Sequence, residues 1–333
     1  MIFSQRDIDT LRLLCWCQYI QPEDLNAVSS STEREHLIFL GLVHRHRGSG
    51  ALTLTNSGRV LLQAVLEGNL PQLTQSYHGD AIQRRIRLSR MALTAYRGSI
   101  NIFTTEIGSM MASPALFLSA VSRSRGSNPW GSTRIAAIAN LGGMLYAIHF
   151  VCPGIGKIAL TDELTAFTNQ TARFRNARRA FIFAGESYPD LLTELAQAGK
   201  IHTKLILYGD AYRCLQLSVH LLSCDDTGAV QLQIMSVPDY RKKLTQAALK
   251  SQYQPPPKDV PAWDALFQGL PFVIAADMDL RRVDAAIRAA HEHGMKQIAV
   301  AALRDRRKRY CFPTTGIPAL PGYSSSRMKP SRK

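Results

Sequence analysis

Apolar positions in the first hundred residues recur in two periods. Ile8, Leu11, Cys15 and Tyr19 fall three to four apart, behind Ser4 and Asp7, a capping-box-like pair with Asp in place of Glu, and predict an amphipathic helix. Gln21, Pro22, Glu23 and Asp24 open a second, short helix reaching Val28, with Pro22 in the first turn, where its missing N–H leaves nothing unsatisfied. Ser29 to Ser31 read as a turn and Thr32 to Leu40 as a third helix, ended by Gly41, a residue that takes the left-handed conformation without a Cβ penalty. The period then drops to two. Leu42 and Val43 run into a tip of Arg45, Arg47, Gly48, Ser49 and Gly50, and in the returning strand, Ala51 to Thr55, Leu52 and Leu54 alternate with Thr53 and Thr55. Asn56 or Ser57 caps a further helix, with Leu61, Leu62, Val65 and Leu66 as its apolar stripe.

Helix, short helix, helix, small hairpin, helix is the order of a winged helix-turn-helix, assigned here to residues 1–67. In such a unit the third helix is offered to a major groove. Ser31, Thr32 and Arg34 would then meet base edges, while Arg45, His46 and Arg47 of the hairpin reach the adjacent groove or backbone. Gly68, Asn69, Leu70 and Pro71 read as a linker. Residues 68–98 continue into a helix from about Asp80 to Tyr96, where Arg84, Arg87 and Arg90 step at three-residue spacing beside Ile82, Ile86, Leu88 and Leu93.

Residues 99–312 change to an α/β pattern from Ser132 onward. Ile135 to Ala139, the turn Asn140 to Gly143, and Met144 to Val151 predict a hairpin. Thr161 or Asp162 caps a helix to about Ala177, Ala180 to Ala184 is a buried-type strand, Pro189 to Gln197 a helix and Lys204 to Tyr208 a strand. After the break at Gln254 to Pro257, the last unit is a strand (Pro271 to Ala276), a helix capped by Asp279 and stopped at Gly294, and a strand (Gln297 to Ala301). That is a βαβ crossover in a sheet with parallel members. The expected fold class is therefore α/β (α+β): an N-terminal winged helix followed by a mixed-sheet α/β domain, with residues 313–333 as a basic flexible tail.

Charge changes this picture more than composition does. At 333 residues and 46% hydrophobic content the chain has the size and make-up of an ordinary two-domain globular protein. No apolar run reaches the roughly 20 residues of a membrane span and the first residues lack signal-peptide character, so the expected location is the cytoplasm. The net charge is +15, yet residues 1–67 carry six Arg against seven acids. The excess sits in two places. One is residues 82–134, with Arg84, Arg85, Arg87, Arg90, Arg97, Arg123, Arg125 and Arg134 against the single Glu106; the other is residues 304–333, with nine basic residues against Asp305. Arg84, Arg85, Arg87 and Arg90 are accordingly expected to track phosphates, supplying the charge that the winged helix lacks.

The pattern SQRDIDTLRLLCWCQYIQPEDLNAV, then LIFLGLVHRHRG, then LTLTNSGRVLL, resembles the N-terminal domain of replication-relaxation-type winged-helix proteins of plasmids and integrative conjugative elements in Gram-positive bacteria. The later segments GGMLYAIHFV, RRAFIFAGESYPDLLTEL and PFVIAADMDLRRVDAAIRAA are similar to the second half of accessory proteins carried by such elements. The resemblance implies a setting in replication or mobilisation, with a relaxase or replication protein as a partner.

Motifs for chemistry are sparse. Cys15 and Cys17 lie on opposite sides of a helix, and the six cysteines are scattered through a chain too large to need disulfide staples. His44-Arg45-His46 lies in the hairpin and His291-Glu292-His293 on a helix, neither arranged like the metal-holding strand of a relaxase. No Asp-x-Lys or Glu-x-Lys falls on a predicted strand, and no phosphate-cradling GxxxxGK[ST] or GxSxG elbow occurs. The reading is a DNA-binding accessory protein that is not an enzyme. It binds duplex DNA, uses no metal or cofactor, and has an α/β domain that self-associates or holds a partner. Two alternatives stay open. One is a divergent metal-dependent nuclease using Glu186 or Asp190; the other is a protein-interaction adaptor.

Overall fold

A computed structural model describes residues 3–66, 70–71, 77–111, 114–123, 128–152, 157–197, 199 and 204–303. The Gly68–Asn69 part of the predicted linker and the predicted tail, 313–333, lie outside these. The chain forms two compact units. The first comprises Met1–Asn140, Ala147–Phe150 and Thr161–Ala177; the second comprises Leu141–Tyr146, Val151–Leu160 and Arg178–Lys333.

In the first unit, helix α1 (Gln5–Cys17) begins where Ser4 accepts the Asp7 N–H and the Asp7 carboxylate accepts the Ser4 N–H at 2.9 Å, so Asp completes the capping box. Leu11, Leu14 and Trp16 bury its inner face. The expected second helix is only a 3-10 turn, Pro22–Leu25. Helix α2 (Ser31–Phe39) starts one residue earlier than the sequence suggests. Ser30 and Glu33 form a second capping box there, which draws Ser31 out of the turn and into the helix.

Strands β1 (Val43–Arg45) and β2 (Leu52–Leu54) pair antiparallel, Val43 opposite Leu54 and Arg45 opposite Leu52. Helix α3 (Asn56–Leu66) is capped by Thr55, not by Asn56 or Ser57. The Thr55 hydroxyl accepts the Gly58 N–H at 3.0 Å and lies 2.7 Å from the Gly41 carbonyl, so one side chain closes the hairpin and opens the helix. The predicted stripe is only partly used, since Leu62 is buried while Val65 is exposed. Gly58 lets α3 press on the hairpin: a Cβ there would stand 2.3 Å from the Leu42 carbonyl oxygen. Helix α4 (Asp80–Arg97) matches its expected span within a residue. It packs on α1, its Ile82 and Ile86 join a buried cluster with Tyr19 and Ala51, and Ser89 donates to the Cys17 carbonyl at 2.8 Å.

Beyond α4 come β3 (Ala115–Leu118), α5 (Ser119–Arg123), β4 (Ile135–Leu141), β5 (Met144–Phe150) and α6 (Leu160–Gln170). β3 runs antiparallel to β4, and β4 neighbours β5. The two strands of that hairpin are joined by Gly142 and Gly143, both at positive φ (+57° and +83°), as a tight turn matching the strand twist requires. α6 ends seven residues short of Ala177.

The second unit holds β6 (Lys157–Ile158), β7 (Arg178–Gly185), α7 (Tyr188–Ala196), β8 (Ile206–Leu207), α8 (Tyr208–Cys214), β9 (Val219–Ser223), α9 (Asp226–Met235), α10 (Tyr240–Leu249), β10 (Ala265–Phe267), β11 (Leu270–Ile274), α11 (Leu280–Glu292) and β12 (Ala299–Ala301). The expected strand Lys204 to Tyr208 shrinks to the two residues of β8, because Tyr208 already starts α8. β7 and β9 pair parallel, β6 and β8 antiparallel. β11 pairs parallel with β12 and antiparallel with β10, and α11, capped by Asp279, makes the predicted βαβ connection. Parallel and antiparallel pairs thus mix in one α+β chain. Among the described residues no helix is long and apolar enough to cross a membrane.

Candidate nucleic-acid interface

The predicted contact residues divide sharply by orientation. On α2, Ser31, Thr32, Glu35, His36 and Phe39 are exposed and share the outward side, whereas Leu37 is fully buried. Arg34 goes with Leu37. It is 6% exposed, and its guanidinium donates to the Ser29 carbonyl and, at 2.9 Å, to Asn26 Oδ1, so it braces the turn before α2.

The hairpin tip is similarly divided. Arg45 leaves β1 to pair with Glu35 of α2, Nη2 to Oε1 2.5 Å, which sets the hairpin against the outward side of α2. His46 turns inward: its Nδ1 accepts the Ser49 N–H at 3.2 Å and its ring meets Tyr19 edge-on at 5.8 Å, so it shapes the loop. Gln21 donates to the Ser49 carbonyl from the other side at 3.2 Å. Arg47 remains exposed at the tip.

The basic ridge of α4 is largely committed inside the unit. Arg85 lies over the Tyr77 ring, 4.5 Å from its centroid, and donates to the Tyr77 hydroxyl at 2.8 Å; burial lowers its pKa. Arg90 Nε straddles both oxygens of Asp24 at 3.2 and 3.3 Å, joining α4 to the Pro22–Leu25 turn. Arg84 and Arg87 are half-buried. The four therefore do not form one free phosphate-tracking row. No protein-family profile, curated protein or solved structure matches the chain.

Two buried polar clusters went unseen in the sequence. In the first unit, Glu163 of α6 accepts the Arg134 N–H at 2.7 Å and lies 3.9 Å from His149 Nε2. Burial pushes its pKa up to about 7, against hydrogen bonds from the Arg134 and Ile135 N–H groups, and pushes His149 down to about 3. In the second unit, Asp277 follows β11 in full burial and accepts from Tyr240 and from Arg241, Nε at 2.7 Å. Burial alone would raise its pKa, but His220, Arg241, Tyr240 and Arg282 together bring it to about 2. His220 Nδ1 lies 3.0 Å from the Asp277 carbonyl, and Gln231 donates to the same oxygen at 3.0 Å. The Asp277 carboxylate is saturated by its neighbours, an arrangement that pins the β11–α11 corner to α10. Of the acids weighed for a nuclease, Asp190 serves the start of α7, where Ser187 donates to its carboxylate at 2.6 Å. Among the described residues no three His, Cys, Asp or Glu side chains are grouped as metal ligands.

Proposed function

We propose that the chain binds duplex DNA through a winged helix made of α1, α2, the β1–β2 hairpin and α3, as an accessory protein acting in the cytoplasm in the replication or mobilisation of a mobile element. The observation that carries this reading is the Arg45–Glu35 pair. It makes the hairpin and the outward side of α2 one continuous polar surface, with Ser31, Thr32 and His36 exposed beside the Arg47 tip. Thr32 and His36 would meet base edges, and Arg47 a phosphate. Arg34, Arg85 and Arg90 are left out of the contact set because each already has a protein partner.

A second reading has one observation of its own. Phe39 is 86% exposed at the end of the same helix side, as an adaptor surface for another protein would have it.

Fluorescence anisotropy of the full chain on a mixed-sequence duplex over a salt series separates the two. On the DNA reading, Arg47→Ala makes the log–log salt slope shallower by about 0.9 and weakens all sequences alike, whereas His36→Ala changes which sequences are preferred. Absence of salt-dependent binding by the unsubstituted chain, at low salt, would rule out the DNA reading and favour the adaptor.

A further inference from the structure

One run of the chain carries basic residues with no acid among them. Between Glu163 and Glu186 the sequence holds Arg173, Arg175, Arg178 and Arg179 and no Asp or Glu. The first two fall in the connection that leaves α6, where hydrogen bonds fix the backbone. The Thr171 hydroxyl donates back to the Phe167 carbonyl at 2.7 Å, the Phe174 N–H to the Thr171 carbonyl at 3.0 Å and the Ala177 N–H to the Phe174 carbonyl at 3.1 Å. Thr171 and Phe174 are buried, while Arg173 and Arg175 stand exposed on either side of Phe174. The connection is a pinned turn that holds two guanidinium groups in water.

Arg173 also has a seat. A Cβ added at Gly108, in the 3-10 turn Ile107–Met111, would stand 2.1 Å from Arg173 Nη1, so the guanidinium lies against the backbone in space that a side chain would otherwise occupy. That seat brings it no carboxylate. Glu106, two residues before Gly108, is exposed, and neither Arg173 nor Arg175 has a hydrogen-bond or ion-pair partner among the described residues. Ordering an arginine costs side-chain entropy, which here no internal bond to the charged group offsets. What the turn presents is a pair of flat donor forks, one of them held in place, of the kind that recognises phosphate oxygens.

We infer that the turn from Thr171 to Ala177 is a backbone contact for bound nucleic acid, with Arg173 and Arg175 each meeting one phosphate. Two residues apart, their Cα atoms are at most about 7.6 Å from each other, and phosphates follow every ~3.4 Å along the axis of a duplex strand, so both forks reach one stretch of backbone. Such contacts position the duplex and read no bases. The inference rests on the DNA-binding reading and adds to it a contact outside α2 and the hairpin. It also supplies phosphate-binding charge that Arg85 and Arg90, committed to Tyr77 and Asp24, do not offer.

The experiment uses the full chain in three forms: Arg173→Ala with Arg175→Ala, Arg173→Lys with Arg175→Lys, and Arg288→Ala, whose arginine is already paired with Asp284 at 3.1 Å. On a mixed-sequence duplex over a salt series, the alanine pair is expected to bind every sequence more weakly, with a log–log slope shallower by about 1.8, from two phosphates at about 0.9 each. The lysine pair keeps the original slope, since each lysine still neutralises a phosphate, and so does Arg288→Ala. An alanine pair with the original slope, in a chain whose Arg47→Ala variant loses slope, overturns the turn as a contact and leaves the DNA reading standing. A lysine pair as shallow as the alanine pair overturns it too, because the loss would then not be one of charge. An equal loss of slope in Arg288→Ala would make the effect one of net charge and likewise overturn the contact. No salt-dependent binding by the unsubstituted chain overturns both.

Discussion

Glu163 and His149 respond oppositely to protons within one buried cluster. Glu163 has its folded pKa raised from 4.5 to about 7, so the folded state binds its proton more tightly than the unfolded chain does. Its stabilisation is full below pH 4.5 and is lost as the pH rises through 7. His149 is depressed from 6.5 to about 3, so it stabilises the fold above 6.5 and loses that contribution as the pH falls towards 3. Between 4.5 and 6.5 the two slopes oppose each other. Glu163→Gln removes one of them. Denaturant unfolding of both proteins should show the native chain losing ground against the variant, by on the order of 3 kcal/mol, between pH 4.5 and 7; a pH-independent difference would contradict the assignment. Asp277 behaves as an ordinary paired carboxylate: depressed to about 2, it stabilises above pH 3.8 and loses this as the pH falls through 2. Arg241→Met, which strands that buried charge, should cost about 3–5 kcal/mol, measured at pH 7.

At the level of elements, local chemistry was readable and distant partners were not. The capping box of α1, the two-residue glycine turn between β4 and β5 and the Asp279 cap of α11 depend on residues within a few positions of each other, and each lies in the sequence as it does in the fold. β3, β9 and β10 were missed. Their runs of three to five residues are too short to show a period, and β3 and β9 are buried at every position, so nothing alternates. The three-residue step of Arg84, Arg87 and Arg90 showed a ridge, but not that Arg90 would find Asp24, 66 positions away. The inward place of Arg34 is masked by its charge: its three-residue step to the buried Leu37 puts it on the inner side, where Ser29 and Asn26 accept from its guanidinium. Gly58, within a helix where glycine is otherwise unfavourable, marks in the sequence the close approach of α3 to the hairpin. Gly58→Ala should lower stability by roughly 1–3 kcal/mol in chemical denaturation, because the new methyl meets the Leu42 carbonyl and Leu54; an unchanged midpoint would show that α3 can lift from the hairpin without cost.

For the whole molecule, charge and shape assign different tasks to different stretches. Residues 304–333 hold nine basic side chains against Asp305. On the DNA-binding reading, ending the chain at Leu303 should weaken binding equally for all sequences and flatten its salt dependence, while any sequence preference set by α2 persists; competition assays between duplexes at fixed salt would measure both effects. A loss of preference on truncation would instead tie recognition to the C-terminal stretch. The two-sidedness of α2 has a consequence for descent. Arg34 and Leu37 are committed to the interior, so drift at them is penalised through folding, and Glu35 answers to Arg45 of the hairpin, while Thr32, His36 and Phe39 are exposed on the outward side. On the DNA-binding reading, a lineage carrying this chain could rewrite its target by altering a few letters of one helix, with the scaffold beneath inherited unchanged.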